Sequence, residues 1–144
     1  MSDRPLPQRR DAYRGYTRLT TRWMDNDAYG HLNNVVCYSL FDTAVNGYLI
    51  GAGALDIQRS DVIGLVVETQ CNYFAPIEFP TAVEAGLHVE RLGRSSVRYR
   101  VGIFAEGQPQ CAAAGHFVHV YVDRATRRPV TLPDTLRRAL EALL

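Results

Sequence analysis

The sequence predicts an α+β fold, with an antiparallel sheet of five to six strands wrapped around one long central helix. Three observations predict it. Four segments alternate apolar and polar residues with period two, the mark of a strand with one buried face, and a fifth is apolar on both faces. One longer segment, Val35 to Ile50, places Ser39, Asp42, Thr43 and Asn46 at i, i+3, i+4 and i+7, a narrow polar stripe on an otherwise apolar helix. Short turns, with no intervening helix, join the later strands, so those strands pair antiparallel as a meander.

The elements follow in order. Tyr16 to Met24 alternates, with Thr17, Leu19, Thr21 and Trp23 on one side. Asp25 to His31 breaks that pattern, and Asn33 and Asn34 suit a helix N-cap. The helix follows, and Gly51 and Gly53 stop it. Ile63 to Gln70 alternates until Pro76 and Pro80 close the strand. Val83 to Glu90 and Val97 to Ile103 are joined by a tight turn at Gly93 and Arg94. Glu106 to Pro109 is a second turn, and Ala112 to Val122 is the central strand. Asp134 to Leu143, after Pro133, forms a short helix. Trp23 and the eight tyrosines are assigned to the core by default.

The chain has 144 residues, enough for one domain. Residues 1–14 are polar and Arg-rich and read as a disordered tail; 15–144 read as a single domain. All 16 basic residues are Arg and none is Lys. Amine chemistry on carbonyls or pyridoxal phosphate is excluded, and so is a P-loop. A net charge of +1 argues against nucleic acid as a partner. Cys37, Cys71 and Cys111 form no CxxC pair, so they read as reduced thiols, with neither a disulfide framework nor a metal site. No secretory signal and no membrane-spanning run is present, which sets the expected location as cytoplasmic.

The densest polar cluster is Asp25-Asn26-Asp27-Ala28-Tyr29-Gly30-His31-Leu32-Asn33-Asn34, between a strand and the start of the apolar helix. A helix N-terminus offers unpaired N–H groups and partial positive charge, which polarise a docked carbonyl. A carboxylate beside it activates water or attacks the carbonyl. Such a loop suits acyl transfer. Asp25 or Asp27 equally serves to brace a turn, since Asp bonds its own backbone there. His88, His116 and His119 stand at no ligand spacing and read as packing or surface residues.

Asp27 to Asn34, continuing to Tyr38, resembles the signature of the hotdog-fold acyl-CoA thioesterases, and most closely the 4-hydroxybenzoyl-CoA thioesterase-like branch. The turn Leu92 to Val97 and the final apolar strand fit the same family over nearly the whole chain. The resemblance implies that Asp27 is the catalytic carboxylate, as nucleophile through a mixed anhydride or as general base toward water. It implies that the backbone N–H of Asn34 holds the thioester carbonyl. His31 matches a catalytic His of related acyl carrier protein thioesterases. Those relatives carry Asn where Tyr29 stands here, so His31 is read as a positioning or hydrogen-bonding residue. Tyr29, Asn33 and Tyr38 are candidate substrate contacts. Asp42 is a second carboxylate near the site or a dimer interface, or a structural hydrogen-bonding group.

The resemblance further implies an acyl-CoA or acyl carrier protein thioester as substrate, no cofactor (coenzyme A is part of the substrate), and a homodimer or dimer of dimers. Arg59, Arg91, Arg94, Ser95 and Ser96 are candidates for the coenzyme A phosphates, because Arg matches phosphate with a bidentate fork. Two rivals remain at this point: an enoyl thioester hydratase or dehydratase on the same fold, and a non-catalytic acyl-CoA binding module.

Overall fold

A computed structural model describes residues 4–144; the first three residues of the expected tail lie outside that range. The elements are β1 (Gly15–Leu19), α1 (Asn34–Gly51), β2 (Val62–Tyr73), β3 (Val83–Leu92), β4 (Ser96–Ala105), β5 (Ala113–Asp123) and α2 (Asp134–Glu141). The α+β class, the five antiparallel strands and the long helix all match the sequence reading.

β1 ends at Leu19, five residues short of the expected Met24. Residues Trp23–Asp25 instead form a 3-10 turn, because the Asp25 carboxylate folds back to accept the Arg22 amide at 2.8 Å. The turn swings Trp23 outward, so this residue, expected in the core, is 78% exposed.

The strand order is β1-β3-β4-β5-β2, so only β3, β4 and β5 form a meander. β2 pairs with β5, Val62 opposite Asp123 and Tyr73 opposite Ala113, and lies at the edge opposite β1. The chain must therefore pass from one edge of the sheet to the other between β1 and β2, and it has done so by the start of α1, where Asn34 bonds Tyr73 of β2. The return from β2 to β3 crosses at the end of the sheet, beside the start of α1.

α1 buries Cys37, Leu40, Phe41, Ala44, Val45 and Leu49 on one face of the sheet. Leu136, Leu140 and Leu143 of the C-terminal segment join the same core. The sequence gives this helix one narrow polar stripe, Ser39, Asp42, Thr43 and Asn46. Within one chain, Val35 and Ile50 are exposed along with Ser39, Asp42 and Thr43, so a broad stripe faces away from the sheet.

Residues 4–14, read from sequence as tail, are held against the outer face of the sheet. Arg9 bridges to Gln110, and Arg10 pairs with Glu84 at 2.7 Å. The Tyr13 ring is buried over Gly86 and Gly102, where any side chain would collide with it. Phe104, Cys111 and Ala114 complete this smaller core.

Candidate active site

The loop between β1 and α1 is built by its own polar groups. Asp25 is buried and takes bonds from the Arg22 amide and guanidinium, while its carbonyl accepts the Asn33 amide at 2.8 Å. The Asp27 amide bonds the His31 carbonyl at 2.7 Å. Its Oδ1 accepts the Tyr29 amide at 2.8 Å and the His31 amide at 3.3 Å. Gly30 takes a φ of +81°, the left-handed conformation that lets this turn close. The Leu32 amide bonds the Ile77 carbonyl at 2.6 Å, which ties the loop to the β2–β3 connection. The Asn33 side chain caps the helix by accepting the Val35 amide at 2.9 Å.

These contacts set Asp27, His31 and Asn34 around one cleft of about 320 Å³, within the size range of small-molecule sites. Leu32, Cys37, Ile77, Ala112 and Ala113 give it apolar walls. The two aspartates of the motif are thereby separated: Asp25 braces the loop, and Asp27 both braces it and faces the cleft. Oδ2 of Asp27 accepts no bond from the described residues. Asn34 is the first residue of α1, where the backbone N–H has no intrahelical acceptor. A carboxylate and a helix N-terminus on one cleft can polarise a carbonyl and deliver water to it.

Several expected contacts lie elsewhere. Tyr29 donates its amide to the Asp27 turn and leaves its ring 86% exposed, outside the cleft. Asn33 spends its side chain on the cap. Tyr38 packs its ring edge-on against Phe41, toward the core. Asp42 accepts from Asn46, one turn along α1, at 2.9 Å, and does not line the cleft.

The phosphate candidates are also apart from this cleft. Ser96 pairs with Val120 at one end of β4 and Ile103 with Ala113 at the other, so the Arg91 to Ser96 turn stands roughly 23 Å from the cleft along the strand. There Arg94 bonds Thr131 at 2.8 Å, and the Ser95 carbonyl accepts the Tyr121 amide. Arg59 sits in the turn after α1, its amide held by Asp56.

Sequence reasoning missed Tyr73 and Cys37. Tyr73 lines the cleft and donates to the Asn34 carbonyl across 39 residues of sequence, a relation that periodicity does not reveal. Burial raises the Tyr73 hydroxyl above its ordinary value, so the phenol stays protonated as a donor. Among the described residues no group of three His, Cys, Asp or Glu side chains comes together to hold a metal ion. No helix of the described chain is long and apolar enough to cross a membrane.

Comparison with known proteins places this geometry in a family. The PA5185 protein of Pseudomonas aeruginosa strain PAO1 is 55% identical, superposes with a TM-score of 0.94, and the match covers 96% of each chain. A 1,4-dihydroxy-2-naphthoyl-CoA hydrolase of Synechococcus sp. (strain CC9605) is 28% identical over 131 residues, 85% of this chain and 87% of that one. A 1,4-dihydroxy-2-naphthoyl-CoA thioesterase of Synechocystis, only 17% identical, shares the fold with a TM-score of 0.78 over 87% of this chain and 93% of that one. The thioesterase-like superfamily matches residues 21–140, and the chain belongs to it as a hotdog-fold thioester hydrolase.

Proposed function

We propose that the protein hydrolyses an acyl-coenzyme A thioester to the free acid and coenzyme A, at the cleft between Asp27 and the start of α1. One observation carries this reading: Asp27 and Asn34, the first residue of α1, line the same cleft. The thioester carbonyl docks at Asn34, where the helix N-terminus stabilises the oxyanion as it develops. Asp27, fixed through Oδ1, presents Oδ2 to the reacting centre, as base toward water or as nucleophile. His31 positions that carboxylate through its backbone amide. The name of the Synechococcus relative supports a coenzyme A thioester as substrate.

A homodimer belongs to this reading. β2 is a long edge strand whose Val66 and Val67 are 48% and 59% exposed, and sheet edges of this kind invite pairing. Joining two chains there extends the sheet and covers the exposed stripe of α1. Arg59 and the Arg91 to Ser96 turn lie too far from the cleft to serve it within one chain, so a role at the nucleotide requires a second subunit. A monomer by light scattering at micromolar concentration would remove that role.

The test is a panel of aromatic and aliphatic acyl-CoA substrates with a thiol-trapping dye. Wild type is expected to release coenzyme A from at least one of them, and Asp27→Asn to lose about 100-fold or more in kcat with the fold intact. Full turnover by Asp27→Asn on every accepted substrate would overturn the mechanism. Crotonyl-CoA separates the hydratase rival, which consumes the enone absorbance without releasing thiol.

A further inference from the structure

We propose that the cleft continues over a low ridge into a second groove, that this groove holds the pantetheine arm of the thioester, and that Arg9 at its rim meets a phosphate. The inference rests on the hydrolysis proposed above. The groove has a volume of about 530 Å³ and shares Phe74, Ala75, Pro76 and Ala112 with the cleft. Those four residues form the ridge between the two. It is a single strip of backbone, since the Phe74 and Ala75 amides both donate to the Ala112 carbonyl, at 2.8 and 3.1 Å. Ala75 and Ala112 raise only methyl groups on it. Ala75 and Pro76 are exposed, so the passage is open to a flexible ligand.

Polarity sorts the two halves of the substrate. On the cleft side Leu32, Cys37 and Ile77 are buried and apolar, which suits an acyl group. On the groove side Thr81, Gln108 and Gln110 are exposed and offer hydroxyl and amide groups. These donors and acceptors match the amide groups of a pantetheine arm. The N-terminal segment supplies a further wall through Pro7, held there because the Gln8 carbonyl accepts the Cys111 amide at 3.0 Å. A thioester carbonyl docked at Asn34 then has its acyl group on the apolar side and its arm on the polar one.

The chain has no Lys, so the side-chain cation that meets a phosphate is an Arg, whose fork of N–H donors matches it. Arg9, Arg10 and Arg18 stand at this groove. Arg18 is paired at 2.8 Å with Glu106, which lines the groove. Arg10 donates to the Gln108 carbonyl at 2.8 Å and to Glu84 at 2.7 Å. Both are spent on holding the walls. Arg9 bridges to Gln110 through its backbone and is exposed, with no ion pair to another described residue. Gln110 is separated from Ala112 of the ridge by at most about 7 Å of chain. Arg9 is therefore close to the ridge, whereas the Arg91 to Ser96 turn is roughly 23 Å from the cleft.

The experiment measures kcat and KM for one acyl group on three thiols: coenzyme A, pantetheine, and N-acetylcysteamine, which carries only the start of the arm. Gln108→Trp fills the groove from an exposed turn and leaves the cleft residues in place. It is expected to raise KM about tenfold for the coenzyme A and pantetheine thioesters, with kcat held and the N-acetylcysteamine thioester unaffected. Thr81→Trp fills the groove from another wall and gives the same result if Gln108→Trp does not fold. Arg9→Ala raises KM by about three- to tenfold for the coenzyme A thioester alone, and the effect fades at high salt. An unchanged KM for the coenzyme A thioester in both groove-filling variants, or an equal loss on the N-acetylcysteamine thioester, would overturn the proposal. Equal effects of Arg9→Ala on the coenzyme A and pantetheine thioesters would overturn the phosphate contact. If wild type hydrolyses none of the three, the thioesterase reading fails, and calorimetry with coenzyme A still decides the groove. Weaker binding by Gln108→Trp than by wild type supports it, and equal binding overturns it.

Discussion

The Tyr73 hydroxyl donates a 2.8 Å hydrogen bond to the Asn34 carbonyl oxygen, and so clamps the first turn of α1 to the end of β2. The N–H of that same residue is the proposed oxyanion donor. Tyr73→Phe removes the clamp and keeps the ring. Its kcat is expected to fall by roughly three- to tenfold, the worth of one hydrogen bond at about 0.5–1.5 kcal/mol, with KM little changed. An unchanged kcat would show that the first turn holds its position without Tyr73.

The two aspartates of the loop are expected to respond in opposite ways. Asp25 is 4% exposed and accepts the Arg22 amide and guanidinium, so Asp25→Ala removes the bonds that close the Trp23–Asp25 turn. A loss of about 1–3 kcal/mol in chemical denaturation is expected, with activity falling only as far as the folded fraction does. Asp27→Asn keeps an Oδ1 acceptor for the Tyr29 amide and is expected to hold its denaturation midpoint while losing turnover. Equal effects on stability from both changes would collapse the distinction.

Much of this architecture was legible because local chemistry agreed with the fold. The alternation in Val83 to Glu90 and Val97 to Ile103 reads out a pleated strand with one buried face, and both segments are strands. Asn33 announces the helix start because its side chain has the cap as its use. What escaped depends on distance in sequence. The placement of β2 beside β5, with β3 and β4 between β5 and β1, is a long-range pairing that no strand pattern encodes. Tyr73, Phe74 and Ala112 reach the cleft only through that topology. The Arg91 to Ser96 turn misled because Arg and Ser suit phosphate anywhere, while β4 carries this turn to the far end of the sheet.

The N-terminal segment gives a prediction that composition alone would reverse. Tyr13 fills the space over Gly86 and Gly102 and meets Phe104 edge-on, with ring centroids 5.8 Å apart. Tyr13→Ala is expected to cost about 3–5 kcal/mol, as for other buried aromatic truncations. Deleting residues 1–13 should cost a similar amount, since it removes the same ring. A deletion with an unchanged denaturation midpoint would return the segment to the status of a tail.

The last prediction concerns His119, which is 2% exposed on the core face of β5. Its ring lies against those of Phe117 and Tyr99, and its Nδ1 is 3.4 Å from the Tyr121 hydroxyl. Tyr121 bonds Tyr99 in turn at 2.7 Å, and Nε2 has no partner among the described residues. Neither tyrosine is charged at neutral or acid pH, so no anion there favours the imidazolium. Burial alone lowers the His119 pKa from 6.5 to about 4. The sign follows from linkage: the unfolded chain takes up this proton near 6.5, and the folded chain only near 4. The stabilisation is complete above pH 6.5 and is lost as pH falls toward 4, by roughly 3 kcal/mol at about 1.4 kcal/mol per pH unit. Carboxylates also titrate in this window, so the measurement is a difference. In urea denaturation the stability of wild type relative to His119→Phe should fall by roughly 3 kcal/mol between pH 7 and pH 4, because the phenyl ring has no proton to gain. Parallel stability curves would mean that His119 is reached by water or a proton in the native state.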